Sequence, residues 1–158
     1  EYYANLITDA MLPYLRASGI TYGRNDPSGT VSTSIELSNL GNYDLHLAIH
    51  SNAAPESLAG RLQGSDVYYY RDSLNGKRAA EIFANNLKLI YPNPELVMTI
   101  PTTTLVELRR TRAVAILVEV AYHDNYDDAN WIINNIEEIA RNLALSVADY
   151  LGVTFVEP

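Results

Sequence analysis

Apolar residues recur every three or four positions in several parts of the chain, which is the spacing of an amphipathic helix. The first such stretch runs from Tyr2 to Leu15 and is closed by Gly19, and a weaker one covers Val31 to Leu40. A third runs from Leu74 to Ile90 and is stopped by prolines. The longest extends from Asn125 to Leu151. The pattern therefore predicts helices over these stretches.

Short runs rich in aliphatic residues and tyrosine lie between the predicted helices and favour strands. Expected strands cover residues 20–24, 44–50, 66–70, about 104–109 and 114–121. The last contains an unbroken apolar run ahead of Glu119, which predicts a strand near the sheet centre with both faces covered. The 44–50 run is also apolar enough in its middle for a strand covered on both faces. Alternating strands and helices predict an α/β fold, a mostly parallel or mixed central sheet with helices on both faces.

Composition narrows the classes of partner. The 158 residues include 11 Lys and Arg against 19 Asp and Glu, a formal net charge of −8. A phosphate-binding surface needs the opposite balance, so nucleic acid and anionic membranes are not expected as partners. The chain has no cysteine, which excludes disulfides and thiolate metal sites. The oligomeric state stays open.

Two polar side chains, His50 and Glu119, come at the carboxyl ends of predicted strands, where α/β folds place their functional sites. Glu119 follows five apolar residues, so it needs either a buried partner or a functional role. His46 and His50 would lie about 13 Å apart on a strand, too far to share one ion. We therefore expect His46 to be a core or hydrogen-bonded histidine rather than a metal ligand. His123 follows in a polar loop, where it either helps cap the last helix or contacts a substrate.

A serine hydrolase is not indicated. No Gly-x-Ser-x-Gly turn occurs in the sequence. Ser51 stands beside His50, but adjacent residues rarely face each other as nucleophile and base must.

Three segments together resemble the zinc-dependent N-acetylmuramoyl-L-alanine amidases of bacterial cell walls. Residues 48–53, Ala-Ile-His-Ser-Asn-Ala, are similar to the family's Ser-Ile-His-x-Asn-Ala. Residues 116–125 resemble its Val-Leu-Val-Glu-x-Gly-Phe-x-x-Asn, and residues 1–6 match the spacing of its Glu-Lys-x-x-Asn-Leu. Leu108-Arg109 also resembles a Leu-Arg found ahead of the family's last strand. The likeness spans residues 1–152 in the family's order.

The resemblance implies a peptidoglycan hydrolase that cleaves the amide between N-acetylmuramic acid and L-alanine with zinc-activated water. It implies Glu1 and His50 as zinc ligands and Glu119 as the catalytic carboxylate. Substrate contacts are expected from Asn52, Arg109 and His123. It also implies an autolysin-like protein that is secreted or resides in the bacterial cell wall, with no signal segment in this chain. The alternative is a catalytically silent relative that binds cell-wall fragments.

The chain departs from the family at its start. The family's first zinc ligand is a His in a Gly-rich turn after an N-terminal strand, and residues 1–158 are expected to form a single amidase-like catalytic domain without that strand and turn. Catalytic zinc normally has three protein ligands. Three explanations stay open: the ligand lies upstream, His123 substitutes for it, or this branch binds metal weakly or not at all.

Overall fold

The computed structural model describes residues 1–158 and contains one mixed four-stranded sheet. Its strands are β1 (Leu45–Asn52), β2 (Ser65–Tyr70), β3 (Val97–Thr102) and β4 (Val114–Tyr122). They lie in the order β1-β4-β2-β3. β1 runs parallel to β4 and β2 parallel to β3, while β2 and β4 are antiparallel. The predicted α/β class is confirmed.

Six helices surround the sheet: α1 (Tyr2–Ala17), α2 (Val31–Leu40), α3 (Leu74–Leu87), α4 (Val106–Arg110), α5 (Tyr126–Asn134) and α6 (Ile136–Leu151). Two short 3₁₀ turns, at Glu56–Leu58 and Pro94–Leu96, precede β2 and β3. None of the helices combines the length and apolar character that crossing a membrane requires.

β4 is an inner strand, as its apolar run predicted. Ile116, Val118 and Val120 belong to the main core, which also contains the buried faces of α1, α3 and α6. The alternate residues Ala115 and Leu117 point to the opposite face, where a smaller cluster includes Leu108 of α4 and Ala48 of β1. One face of the sheet is thus covered by the main core. The other, called the thinly covered face below, is covered by the smaller cluster.

The strand predicted at about 104–109 is wrong. Val106–Arg110 forms the short helix α4, whose Leu108 is buried against the thinly covered face. The strand that exists instead is β3, which contains Pro101. β3 lies at an edge of the sheet, where a residue without an N–H is tolerated. The sequence pattern predicted no strand over residues 97–102.

The single helix predicted from Asn125 to Leu151 is two helices. Asn135 leaves the helical region, with φ −133°, and its Nδ2 donates to the carbonyl oxygen of Trp131 at 2.8 Å. An Asn side chain that bonds to the backbone competes with the helix and breaks it here. Leu143 and Val147, four residues apart on one face of α6, are buried.

Two expectations for the start of the sheet are also corrected. Ile20–Arg24 is not a strand, because no backbone N–H or C=O from Thr21 to Arg24 bonds to another backbone group. β1 is a strand but an edge one, and Ala48 is its only buried residue, so it is not covered on both faces. The predicted helix over Val31–Leu40 is confirmed, with Thr30 and Thr33 forming a reciprocal cap.

Candidate active site

Three ionisable side chains form one row across the sheet. In the strand register, Glu119 of β4 lies opposite His50 of β1 on one side and opposite Asp66 of β2 on the other. Residues directly opposite each other in paired strands point to the same face. Because β2 runs antiparallel to β4, its first residues lie beside the carboxyl end of β4. The row therefore lies on the thinly covered face, where a ligand can reach it.

Glu119 is the centre of this row and is partly buried. Its Oε2 is inaccessible to solvent and has no hydrogen-bond partner. Burial, and secondarily the negative charge of Asp66, raise the pKa of Glu119 to about 7. The alternative that a buried partner explains this carboxylate is not supported, because its buried Oε2 has no hydrogen-bond partner. A carboxyl group with this affinity can take and release a proton near neutral pH.

Asp66 and two tyrosines complete the surroundings of Glu119. Burial raises the pKa of Asp66. Burial is the main cause that raises the pKa of Tyr68 and of Tyr122, and the negative charge of Asp66 is the second. Sequence reasoning did not single out Asp66. The available signal was the alternation in β2, where Val67 and Tyr69 are buried and Asp66 and Tyr68 therefore share the other face.

His123 lies beside the row and is paired with Ser51. The Ser51 Oγ and the His123 Nδ1 are 2.8 Å apart, and the His123 N–H donates to the carbonyl oxygen of Asn52. Ser51 was not expected to pair with its neighbour His50, and in the structure it pairs with His123 instead. Both Ser51 and His123 line a groove beside β1.

The loop after His123 is held by its own polar side chains. The Asp124 carboxylate accepts from the backbone N–H of Gly60 at 3.0 Å and of Ala54 at 3.3 Å. The N–H of Gly60, and less strongly that of Ala54, lower the pKa of Asp124. Asn125 Oδ1 accepts from the N–H of Asp128 and caps α5. Asn125, rather than His123, therefore caps this helix.

Asp128 ties the strand ends of the site together. It is buried, and its Oδ2 accepts from the N–H of Gly64 and of Tyr122, both at 3.0 Å. Tyr91 donates its hydroxyl to the other oxygen, Oδ1. Gly64 leads into β2 and Tyr122 ends β4. One carboxylate thus fixes the strand ends that carry Asp66 and Glu119.

A groove of about 520 Å³ opens along β1 and brings together most of the remaining predicted residues. Glu1, His50 and His123 all line it. His46 lines it too, but its Nε2 lies 2.6 Å from Glu107 Oε2 and both side chains are largely buried, which confirms its prediction as a hydrogen-bonded residue.

The other two predicted substrate contacts lie elsewhere. Asn52 ends β1, and its Oδ1 accepts from the N–H of Ala53 at 2.9 Å. Arg109 is exposed on α4, and its side chain does not line the groove.

The side chains that could bind a metal ion do not make up a complete set of ligands. Glu1 and His50 are exposed side chains of suitable chemistry on one groove. However, no three His, Asp or Glu side chains of the chain come together in a way that could hold an ion. Catalytic zinc uses three such ligands. The residues present therefore do not form a complete zinc site by themselves.

The fold and the site define a class of protein: an α/β domain with a partly buried, unbonded carboxyl group at the carboxyl end of an inner strand, where α/β enzymes place their sites. The N-acetylmuramoyl-L-alanine amidase family matches residues 3–149. The chain belongs to this family of peptidoglycan amidases.

Several solved structures share the fold of this chain. Cwp6 from Clostridium difficile is 25% identical with a TM-score of 0.81, and the match covers 95% of this chain and 25% of that one. The catalytic domain of CD27L, an endolysin targeting Clostridia Difficile, is 24% identical with a TM-score of 0.70. The match covers 98% of this chain and 82% of that one. The N-acetylmuramoyl-L-alanine amidase AmiC2 of Nostoc punctiforme is 20% identical with a TM-score of 0.80. The match covers 96% of this chain and 83% of that one. The chain spans a quarter of the length of Cwp6. No curated protein sequence matches the chain.

Proposed function

We propose that this chain is the catalytic domain of a peptidoglycan hydrolase that cleaves the amide between N-acetylmuramic acid and L-alanine. One observation carries the proposal beyond family membership. A partly buried carboxylate with an unbonded oxygen, Glu119, occupies the centre of an accessible row of ionisable side chains. Leaving such a group unbonded is costly for the fold, and general acid–base catalysis explains its retention.

Glu119 performs two proton transfers in this reaction. As a carboxylate it takes a proton from the water that attacks the lactyl carbonyl carbon. The C–N bond then breaks, and Glu119 returns the proton to the leaving nitrogen of L-alanine. A pKa of about 7 suits both steps, because the group holds and gives up a proton with similar ease near neutral pH. Asp66 assists by disfavouring the charged form of Glu119 from the adjacent strand.

Zinc is the cofactor that we propose for this domain, with Glu1 and His50 as two of its ligands. When bound, zinc would lower the pKa of a coordinated water and polarise the carbonyl. Support comes from the two exposed donors on one groove and from the resemblance of their segments to the family's ligand motifs. Asn52, Arg109 and His123 are proposed to contact the muramyl peptide. We further propose an autolysin-like role after secretion.

The proposal is tested by hydrolysis of purified peptidoglycan with added zinc. Amidase activity releases one new L-alanine amine and one lactyl carboxyl group per bond, which amine labelling and mass spectrometry detect. Glu119→Gln serves as the matched inactive control. Cosedimentation with peptidoglycan without release of L-alanine amines would instead identify a silent binder of wall fragments.

A further inference from the structure

The row of ionisable side chains continues beyond Asp66 to the far edge of the sheet. In the parallel pairing of β2 with β3, Asp66 lies opposite Met98. Val97, the preceding residue, is buried in the main core, so Met98 points to the thinly covered face, where it is 53% exposed. His50, Glu119, Asp66 and Met98 thus form one line across all four strands.

The two ends of this line differ in chemistry. On the β1 side, His50 is followed by the hydrogen-bonded pair of Ser51 and His123, and such groups bond to sugar hydroxyls and carbonyl oxygens. On the β3 side, Met98 is exposed, and the next residue on its face, Ile100, belongs to neither core cluster. A ligand that suits both ends is polar on one side of its reacting bond and more apolar on the other.

The proposed substrate has this asymmetry, because the amide that is cleaved joins a sugar to a peptide. The stem peptide begins at the leaving nitrogen, and its alanines carry methyl groups. Glu119 returns the proton to that nitrogen, which therefore lies beside it. Neighbouring strands are about 4.8 Å apart, and an extended peptide advances about 3.5 Å per residue. On the β3 side of Glu119, the residue after L-alanine thus lies over Asp66, and the following residues reach Met98.

We propose that the stem peptide lies across β2 and β3 on this face, and that Asp66 determines which second stem residue is accepted. The inference rests on the proposed function. In peptidoglycan the residue after L-alanine is D-glutamate, whose α-carboxyl group is either free or amidated. No cation accompanies Asp66, because the ion pairs of the chain involve other acids. A free carboxylate would meet a like charge, whereas an amide donates a hydrogen bond to Asp66. The amidated stem is therefore preferred.

The two methionines of the chain can report where the stem peptide binds. Met98 is exposed on the proposed surface, whereas Met11 is buried at the wall of the groove beside β1. In protein labelled with methyl-¹³C-methionine, the peptide L-alanyl-D-isoglutaminyl-L-lysine should shift the NMR signal of Met98 and leave that of Met11 unchanged. A shift of Met11 would place the peptide in the groove and overturn the inference. So would the absence of any shift up to about 10 mM peptide.

The role of Asp66 is measured with the matching peptide that carries D-glutamate. The amidated peptide should bind about tenfold more tightly, and Asp66→Asn should bring the ratio of the two dissociation constants close to one. An unchanged Met11 signal shows that the variant is folded. Asp72→Asn is the matched control, because Asp72 is an exposed acid beyond the other end of β2 and its loss should keep the ratio. An unchanged ratio in Asp66→Asn would contradict the role of Asp66.

Neither measurement uses turnover, so the inference and the proposed function fail separately. A protein that binds the peptide at Met98 but does not cleave peptidoglycan would refute the amidase proposal and leave the placement of the peptide standing. Cleavage of peptidoglycan without a shift of the Met98 signal would refute the placement alone.

Discussion

Glu119 owes its proton affinity to its place in the sheet. Glu119 lies on the inner strand β4. The antiparallel neighbour β2 places a second acidic residue, Asp66, directly opposite it. Burial and like charge act in the same direction on its pKa. His50 faces it from the other side but stays exposed. The same row thus contains a carboxyl group that resists ionisation and an imidazole available to a ligand.

Replacing Glu119 with Gln should separate catalysis from structure. The substitution keeps the shape but removes the basic oxygen, so turnover of muramyl-peptide substrate should fall by about 10² to 10⁴ while zinc binding survives. Turnover measured on the folded variant is the readout. Activity within about threefold of the wild-type protein would show that Glu119 is structural.

The same substitution should change stability in a pH-dependent way. The folded pKa, about 7, lies above the ordinary value of 4.5, so ionisation disfavours the folded state. Below pH 4.5 the group is protonated in both states and costs nothing; the cost grows between pH 4.5 and 7 and is complete above 7. Glu119→Gln should therefore raise the free energy of unfolding at about pH 8, by a few kcal/mol at most, and leave it unchanged near pH 4.

Denaturant unfolding of the metal-free protein at the two pH values measures this difference. Asp124→Asn is the useful contrast, because the N–H of Gly60 lowers the pKa of Asp124 and its charged form favours folding. A stabilisation by Glu119→Gln that is equal at both pH values would refute the argument from burial.

His50 and His46 should respond differently to truncation. His50 is exposed on the groove, whereas His46 is largely buried against Glu107. His50→Ala should lower zinc occupancy, and His46→Ala should mainly lower the melting temperature because it leaves a buried carboxylate unpaired. Metal content after dialysis against zinc, together with thermal unfolding, distinguishes the two. Equal loss of zinc from both variants would rule out the assignment of His50 alone.

At the scale of elements, the sequence predicted what depends on local periodicity. The helix over Val31–Leu40 and the inner strand β4 were found because their patterns are strong and self-contained. β3 and the break at Asn135 were missed, because an edge position and one side-chain bond decided them. The pairing of Ser51 with His123 also depends on contacts distant in sequence, which periodicity does not reveal.

The candidate site was predictable only in part for the same reason. Glu119 and His50 stand at strand ends and match short motifs, so the sequence singled out both, and the structure places them opposite each other. Asp66 became visible only through the antiparallel pairing of β2 with β4. No local pattern specifies strand order, and the acid that influences Glu119 most directly was therefore missed.

At the scale of elements, one prediction concerns Asp128. Its buried carboxylate accepts two backbone N–H groups and the Tyr91 hydroxyl. Asp128→Ala should lower the free energy of unfolding by about 2 to 4 kcal/mol, since it leaves buried donors without partners. Asp127→Ala is the matched control, because Asp127 is exposed in the same turn of α5. Similar unfolding curves for the two variants would contradict the role of Asp128 in joining β2 to β4.

At the scale of the whole molecule, net charge governs how the domain meets its substrate. The formal charge of −8 opposes adsorption to anionic wall polymers. We expect this domain to bind peptidoglycan stripped of those polymers more tightly than intact wall, and added salt to narrow the difference by screening. Cosedimentation at two ionic strengths measures both effects. Tighter binding to intact wall at low salt would show that a local positive surface overrides the net charge.

Under the proposed mechanism, the row His50–Glu119–Asp66 also determines when activity can first appear during folding. Its members come from three segments far apart in sequence, and they face one another only in one register of two strand pairs. A slip of one residue would turn Glu119 into the core side of the sheet and leave an inert but compact chain. Such long-range pairing forms late and slowly. On this mechanism the chain should stay inactive until its last strands have aligned, so we expect activity recovered during refolding to report correct strand register rather than compactness alone.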